Sequence, residues 1–275
     1  MHTQTLPSRA TSTRRWNAQS APRPLSSYPI FLLRPPYEER NLRAALPDLD
    51  RADVPPGSIA GVMVSRPVDD PDAIRKLVRD LSKRIPACPV VMLLQMPPEE
   101  GLLVATRLAP LQFRAIVPIG AGMSPLLREV LTDPAMLSRD VVDWLQLRHI
   151  RLNPNQTDLL ESIFTAAPHY PDLTTLLDHY RIPQSSARFR LRKRGLPSPN
   201  RWFQLARAIH AALRLQAKPE RSVAAVAHQL GFADHSALAH LLRRSLHVTA
   251  NQVRGTLGWE WLLDRWMNSI RSSIR

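Results

Sequence analysis

The chain of 275 residues has one cysteine, Cys88. A single thiol cannot form an internal disulfide, which excludes a disulfide-stapled scaffold and suits a reducing compartment. Cys88 stands between a helical pattern and an apolar run, the setting of a small buried hydrophobe. No apolar run approaches the roughly 18 residues that cross a membrane. Residues 1–27, rich in Ser, Thr, Pro and Arg, lack the apolar segment of a secretory signal and read as a disordered basic arm. Metal-ligating patterns are also missing. The histidines (His2, His149, His169, His179, His210, His228, His235, His240 and His247) are scattered without carboxylate or cysteine partners at a ligand spacing. Gly120 and Gly122 lack both the lysine and the longer glycine pattern of a phosphate loop. These absences imply no enzyme, no cofactor and no metal.

Acidic residues are scarce in one part of the chain only. Of 37 Lys and Arg and 23 Asp and Glu in all, residues 181–275 hold 17 and 4, leaving 20 and 19 for the first 180. The net charge of +14 is therefore concentrated in the last third. Charge so confined points to a face that binds a polyanion.

The first folded stretch alternates apolar runs with amphipathic segments. Strands are expected at 29–33, 58–65, 88–94 and 113–118. Helices are expected at 38–46, 73–84 (capped by Asp70, with Asp69 beside it), 99–108 and 125–131. That order predicts a parallel sheet covered on both faces. In element order and length, residues 28–132 resemble the receiver domain of bacterial response regulators. Such a domain would need an acidic pair after its first strand, an aspartate after its third and a lysine after its fifth. Here the strands run into Arg34-Pro35-Pro36, Arg66 and Ile119-Gly120, and Glu38 and Glu39 come late for a metal pair. The expectation is a receiver-like fold lacking the phosphorylation residues, free to dimerise, bind a partner or act as scaffold. Residues 133–156 follow as a linker: a helix at 137–147, apolar at Val141, Val142, Trp144 and Leu145, then a polar loop. This helix connects the two regions or supports self-association.

Residues 157–275 read as all-helical. Helix 157–166 has Thr157 or Asp158 for its cap. Residues 172–179 form a short helix with Leu173, Leu176 and Leu177 inward, residues 180–183 a turn, and the next helix runs from Gln184 towards Gly195. A long helix at 200–215, with Pro199 in its first turn, has Trp202, Leu205, Ile209, Ala212 and Leu213 as its core stripe. The clearest unit is 222–254: Ser222 caps a helix, Gly231 ends it, Phe232 plugs the core, and Asp234 caps a second helix. Each pair of short helices is a helix-turn-helix.

Gly195, Ser198-Pro199, Arg207, Ala211, Ala227, Gly231-Phe232, Asp234, Ser236, Leu238, Leu242-Arg243, Thr249 and Arg254 resemble the pattern of the AraC/XylS family of bacterial transcription regulators. That resemblance implies a seven-helix DNA-binding domain with two helix-turn-helix units joined by a long helix. Reading helices 184–193 and 235–244 would enter successive major-groove segments. By position, Ser185, Ser186, Arg188, His235, Ser236 and His240 would contact bases. Arg190, Arg192, Lys193, Arg243 and Arg244 would contact phosphates. Phe189 departs from a common arginine, and His247 and Ala250 from a glycine and a proline.

The fold class expected is thus α/β followed by all-α. The function expected is sequence-specific regulation of transcription on double-stranded DNA, in the cytoplasm at the nucleoid. Expected partners besides DNA are a second copy and RNA polymerase or another protein. The alternative is an architectural or adaptor DNA-binding protein that recruits a partner through its first domain.

Overall fold

The computed structural model describes residues 28–273 apart from 46–48, 67, 69 and 110–112. The arm expected at 1–27 and Asp69 lie outside the described residues. The described chain is a mixed α/β structure with a five-stranded sheet and twelve α-helices.

Strands β1 (Ile30–Leu33), β2 (Leu42–Ala44), β3 (Ile59–Val64), β4 (Val90–Leu94) and β5 (Ile116–Pro118) lie in the order β2-β1-β3-β4-β5. The parallel sheet expected here is realised only in β3, β4 and β5. Strand β1 runs antiparallel to both β3 and β2. Its continuation is short: only residues 34–41 separate Leu33 from Leu42. A parallel return takes a dozen residues or more, so this one must be a hairpin. The helix expected at 38–46 is accordingly a single 3-10 turn, Glu39–Asn41, followed by β2, whose Leu42 pairs with Leu33. Its last residue, Leu46, lies outside the described residues.

Helices α1 (Pro71–Arg84) and α2 (Pro98–Leu108) cover one face of the sheet. The Asp70 side chain accepts from the Ala73 backbone and caps α1 as expected. Ile74, Leu81, Val104 and Leu108 pack there on Ala60, Val62, Met92 and Leu94. Cys88 is buried on this side, its thiol donating to the Ser58 carbonyl, and burial pushes its pKa up. Helix α3 (Met123–Thr132) covers the other face through Met123, Leu127 and Leu131. Gly61 is required by the packing: a β-carbon there would stand 2.2 Å from Leu93 Cδ1.

The remaining helices share one core. They are α4 (Leu137–Leu147), α5 (Pro154–Ala166), α6 (Leu173–His179), α7 (Gln184–Arg192), α8 (Pro199–Ala217), α9 (Val223–Gln229), α10 (His235–Leu246), α11 (Ala250–Arg254) and α12 (Glu260–Ser273). The helix read as a connector or dimer contact, α4, spends its apolar side inside the chain. Val141, Val142, Trp144 and Leu145 belong to the helical core, and the Trp144 indole donates to the Pro86 carbonyl after α1.

Residues 255–267 stitch the sheet to the helices. Leu257 enters the sheet-side core beside Tyr37. The Leu257 backbone N–H donates to the Tyr37 hydroxyl at 3.0 Å, and that hydroxyl donates to the Gly57 carbonyl at 3.0 Å. The Gln216 amide at the end of α8 bonds both the N–H and the carbonyl of Gly258. Trp259, Leu262, Leu263, Trp266 and Met267 then enter the helical core, where the Trp266 ring lies 4.7 Å from that of Trp202. Ion pairs Arg114–Glu260 (3.0 Å) and Arg51–Asp264 (2.6 Å) close the seam.

Candidate nucleic-acid interface

Helix α5 begins earlier than expected. Asn153, not Thr157 or Asp158, is its cap, in a reciprocal capping box with Gln156, and Pro154 takes the first helical position. The expected loop is therefore partly helix, because Asn-Pro is itself a strong start signal. Buried Gln156 also donates to the Arg190 carbonyl at 2.7 Å, fixing α7 from behind.

The two helix-turn-helix units share the bonding pattern of their first helix and turn, and differ at the second helix, which Pro183 starts without a side-chain cap in one and Asp234 caps in the other. Asp172 caps α6 by accepting from the Thr175 backbone at 2.9 Å; Ser222 caps α9 by accepting from Ala225 at 3.1 Å. Hydrogen bonds from Thr175 hold the Asp172 carboxyl below its usual pKa range. Both first helices end in one left-handed residue, Arg181 (φ 54°) in the first unit and Gly231 (φ 68°) in the second. The next N–H reaches back across each turn, Ile182 to the Leu177 carbonyl at 2.9 Å and Phe232 to Ala227 at 3.0 Å. One extra residue, Ala233, precedes α10, which Asp234 caps by accepting from Ala237 at 2.8 Å.

Helix α8 holds both units, and Arg207 is its joint. This arginine is 7 % exposed. It donates to the Pro171 carbonyl ahead of α6 and to the Leu230 carbonyl at the end of α9, both at 2.9 Å. Its guanidinium lies over the Phe232 ring, 4.0 Å from the centroid. One side chain thus bonds the start of one unit to the turn of the other, with an aromatic face sharing its charge. Burial pushes its pKa down, and Asp172 acts in the opposite direction. Arg254, just after the second unit, donates to the Arg221 carbonyl at 2.6 Å and so ties the end of α11 to the segment that leads into α9.

The expected contact residues sit on the outer sides of α7 and α10. Ala187 and Leu191 of α7, and Leu238, Leu241, Leu242 and Leu246 of α10, face the core. Ser185, Arg188, Arg192 and Lys193 are exposed on α7, as are His235, Ser236, His240, Arg243 and Arg244 on α10. Ser186 and Arg190 are half-buried on the flank of α7. Among the described residues none of these arginines, nor Lys193, lies within ion-pair distance of a carboxylate. The nearby acids Asp172 and Asp234 are engaged as helix caps. Two exposed helix faces whose cations have no carboxylate partner, with small hydroxyls and imidazoles between them, suit an extended anion bearing hydrogen-bonding edges.

The sequence marks Phe189 only as a departure from a common arginine, and it does not point to Gln156 or to the bridging role of Arg207. Phe189 is 69 % exposed on α7. It was readable: it stands two residues from both Ala187 and Leu191, hence about 200° round the helix from each. The bridge by Arg207 was not, because its acceptors are backbone carbonyls far apart in the chain.

Among the described residues, no group of three or more His, Cys, Asp or Glu side chains comes together as a metal site. No helix is long and apolar enough to cross a membrane among those residues. Comparison of the chain with protein families, curated proteins and solved structures finds no match in any of the three.

Proposed function

We propose that this chain is a sequence-specific regulator of transcription that binds double-stranded DNA through α7 and α10. The observation that carries the reading is the duplicated helix-turn-helix: two units with the same cap, left-handed turn residue and return hydrogen bond, both held by α8 and Arg207. Helix α8 has 19 residues and is about 28 Å long, comparable with the roughly 34 Å turn of DNA. Reading helices joined through such a rod are suited to successive major-groove segments. The seven helices α5–α11 agree in number and order with the domain implied by the AraC/XylS resemblance. The sheet region, without the carboxylates and lysine of a receiver, serves in this reading as a partner-binding or scaffolding part.

In the proposed interface, Ser185, Ser186, Arg188, His235, Ser236 and His240 address base edges. Arg190, Arg192, Lys193, Arg243 and Arg244 address phosphates. Selection from random duplex DNA should enrich a motif. Combining Arg188→Ala, His235→Ala and Ser236→Ala should erode preference for it by about 1–3 kcal/mol per good base contact. Arg192→Ala and Arg243→Ala should instead weaken motif and random duplex together and make the salt dependence shallower. Equal losses on both duplexes from all five substitutions would leave only an architectural, sequence-independent binder.

A further inference from the structure

We infer that Phe189 reads thymine methyl groups in the DNA site of the first unit; the inference rests on the DNA-binding reading above. Phe189 stands on the outer side of α7, 69 % exposed and opposite the buried pair Ala187 and Leu191. His240 takes the same place on α10, two residues from both Leu238 and Leu242. The repeat thus puts a side chain on the outer side of each reading helix. In the second unit that side chain hydrogen-bonds; in the first it is purely apolar.

The surroundings of the ring narrow what it can meet. Ser185 lies one turn before it and Lys193 one turn after, with Arg188, Arg190 and Arg192 beside it. Residues 179–219 contain no Asp or Glu. A partner must therefore offer an apolar spot framed by negative charge. The major groove does so at one base: thymine presents a C5-methyl on the groove floor, while phosphates line both walls. Cytosine, adenine and guanine show only polar edges there. The ring consequently selects thymine where an arginine would select guanine.

The test uses the full chain and duplexes enriched from a random library, each resynthesised with uracil in place of thymine. Uracil pairs as thymine does and lacks only the methyl. The wild-type chain should bind the uracil duplex more weakly, by about fourfold for each methyl read, the value of one buried carbon. Phe189→Ala should bind thymine and uracil duplexes alike, while Arg201→Ala, at an exposed position outside both reading helices, should keep the wild-type discrimination. The thermal midpoint of Phe189→Ala should match wild type, since the ring is exposed. A wild-type chain that enriches a motif yet ignores the thymine-to-uracil change overturns the inference and spares the DNA reading. So does a Phe189→Ala chain that still discriminates, or one unchanged on both duplexes that has lost self-association, which would assign the ring to a protein contact. Failure to enrich any motif overturns the DNA reading itself.

Discussion

Gly231→Ala and Arg181→Gly are opposite edits of one backbone position in the two repeated turns. Both residues are left-handed, at φ 68° and 54°, and an added β-carbon at Gly231 meets nothing within 4 Å. The cost of Gly231→Ala is therefore conformational: about 1–2 kcal/mol for an L-residue in this region, less roughly 0.4–1 kcal/mol because the unfolded chain also loses freedom. A net loss of about 1 kcal/mol is expected. Arg181 is exposed and bears that strain already. Arg181→Gly should stabilise by about 0.5–1 kcal/mol, the same terms with signs reversed. Arg181→Gln separates the backbone effect from charge, since it removes the cation and keeps the β-carbon; it should leave stability nearly unchanged. Scanning calorimetry would show Gly231→Ala lowering, and Arg181→Gly raising, the midpoint by about 2–4 °C per kcal/mol. A shift of the same sign from both edits would refute the equivalence of the turns. So would a stabilisation by Arg181→Gln equal to that by Arg181→Gly.

Arg207→Met should strip the Pro171 and Leu230 carbonyls of their donor and cost about 2–3 kcal/mol by urea unfolding, partly offset by removal of a buried charge. Arg207→Lys should not restore the loss, because an ammonium cannot bond two divergent carbonyls while lying flat on Phe232. On the proposed function, motif binding should fall in both variants, since the residues of the proposed interface are unchanged but the two units lose their common joint. His210 bonds the Phe164 carbonyl through Nε2, and burial lowers its pKa below the ordinary 6.5. Above that value both folded and unfolded states hold a neutral ring. As pH falls below it, the unfolded chain takes up the proton first, so stability is lost down to the folded pKa, by at most about 1.4 kcal/mol per pH unit. His210→Gln should flatten this part of the urea-midpoint profile between pH 7 and pH 5; an unchanged slope would clear His210 of the effect.

Legibility in the sequence follows the range of the interactions. The second unit was plain because Ser222, Gly231 and Asp234 each mark a local backbone event. The first was fainter because Arg181 fills the position where Gly231 stands. Helix α1 was found with its cap, since Asp70 acts within four residues. The hairpin β1–β2 was missed because residues 38–46 also carry helical spacing, and only the shortness of the return decides against it. The start of α5 is ambiguous in the sequence because Asn-Pro serves equally as a loop signal and as a helix cap. The apolar side of α4 was visible, but what covers it was not. Its partners come from α5 and from Pro86 beyond α1, so they are set by tertiary packing.

The seam of residues 255–267 also governs the order in which the molecule can mature. The Tyr37 hydroxyl meets Leu257 across 220 residues of chain, and Arg51 meets Asp264 across 213. During synthesis at about 5–20 residues per second, that separation leaves Tyr37 and its neighbours without their final cover for about ten seconds or more. The sheet side stays open on that face, and the helical core lacks Trp259, Trp266 and Met267, until the same short stretch leaves the ribosome. Neither half can be completed ahead of the other, so release cut short near residue 254 would yield a chain open on two apolar faces at once, a substrate for chaperones and proteases.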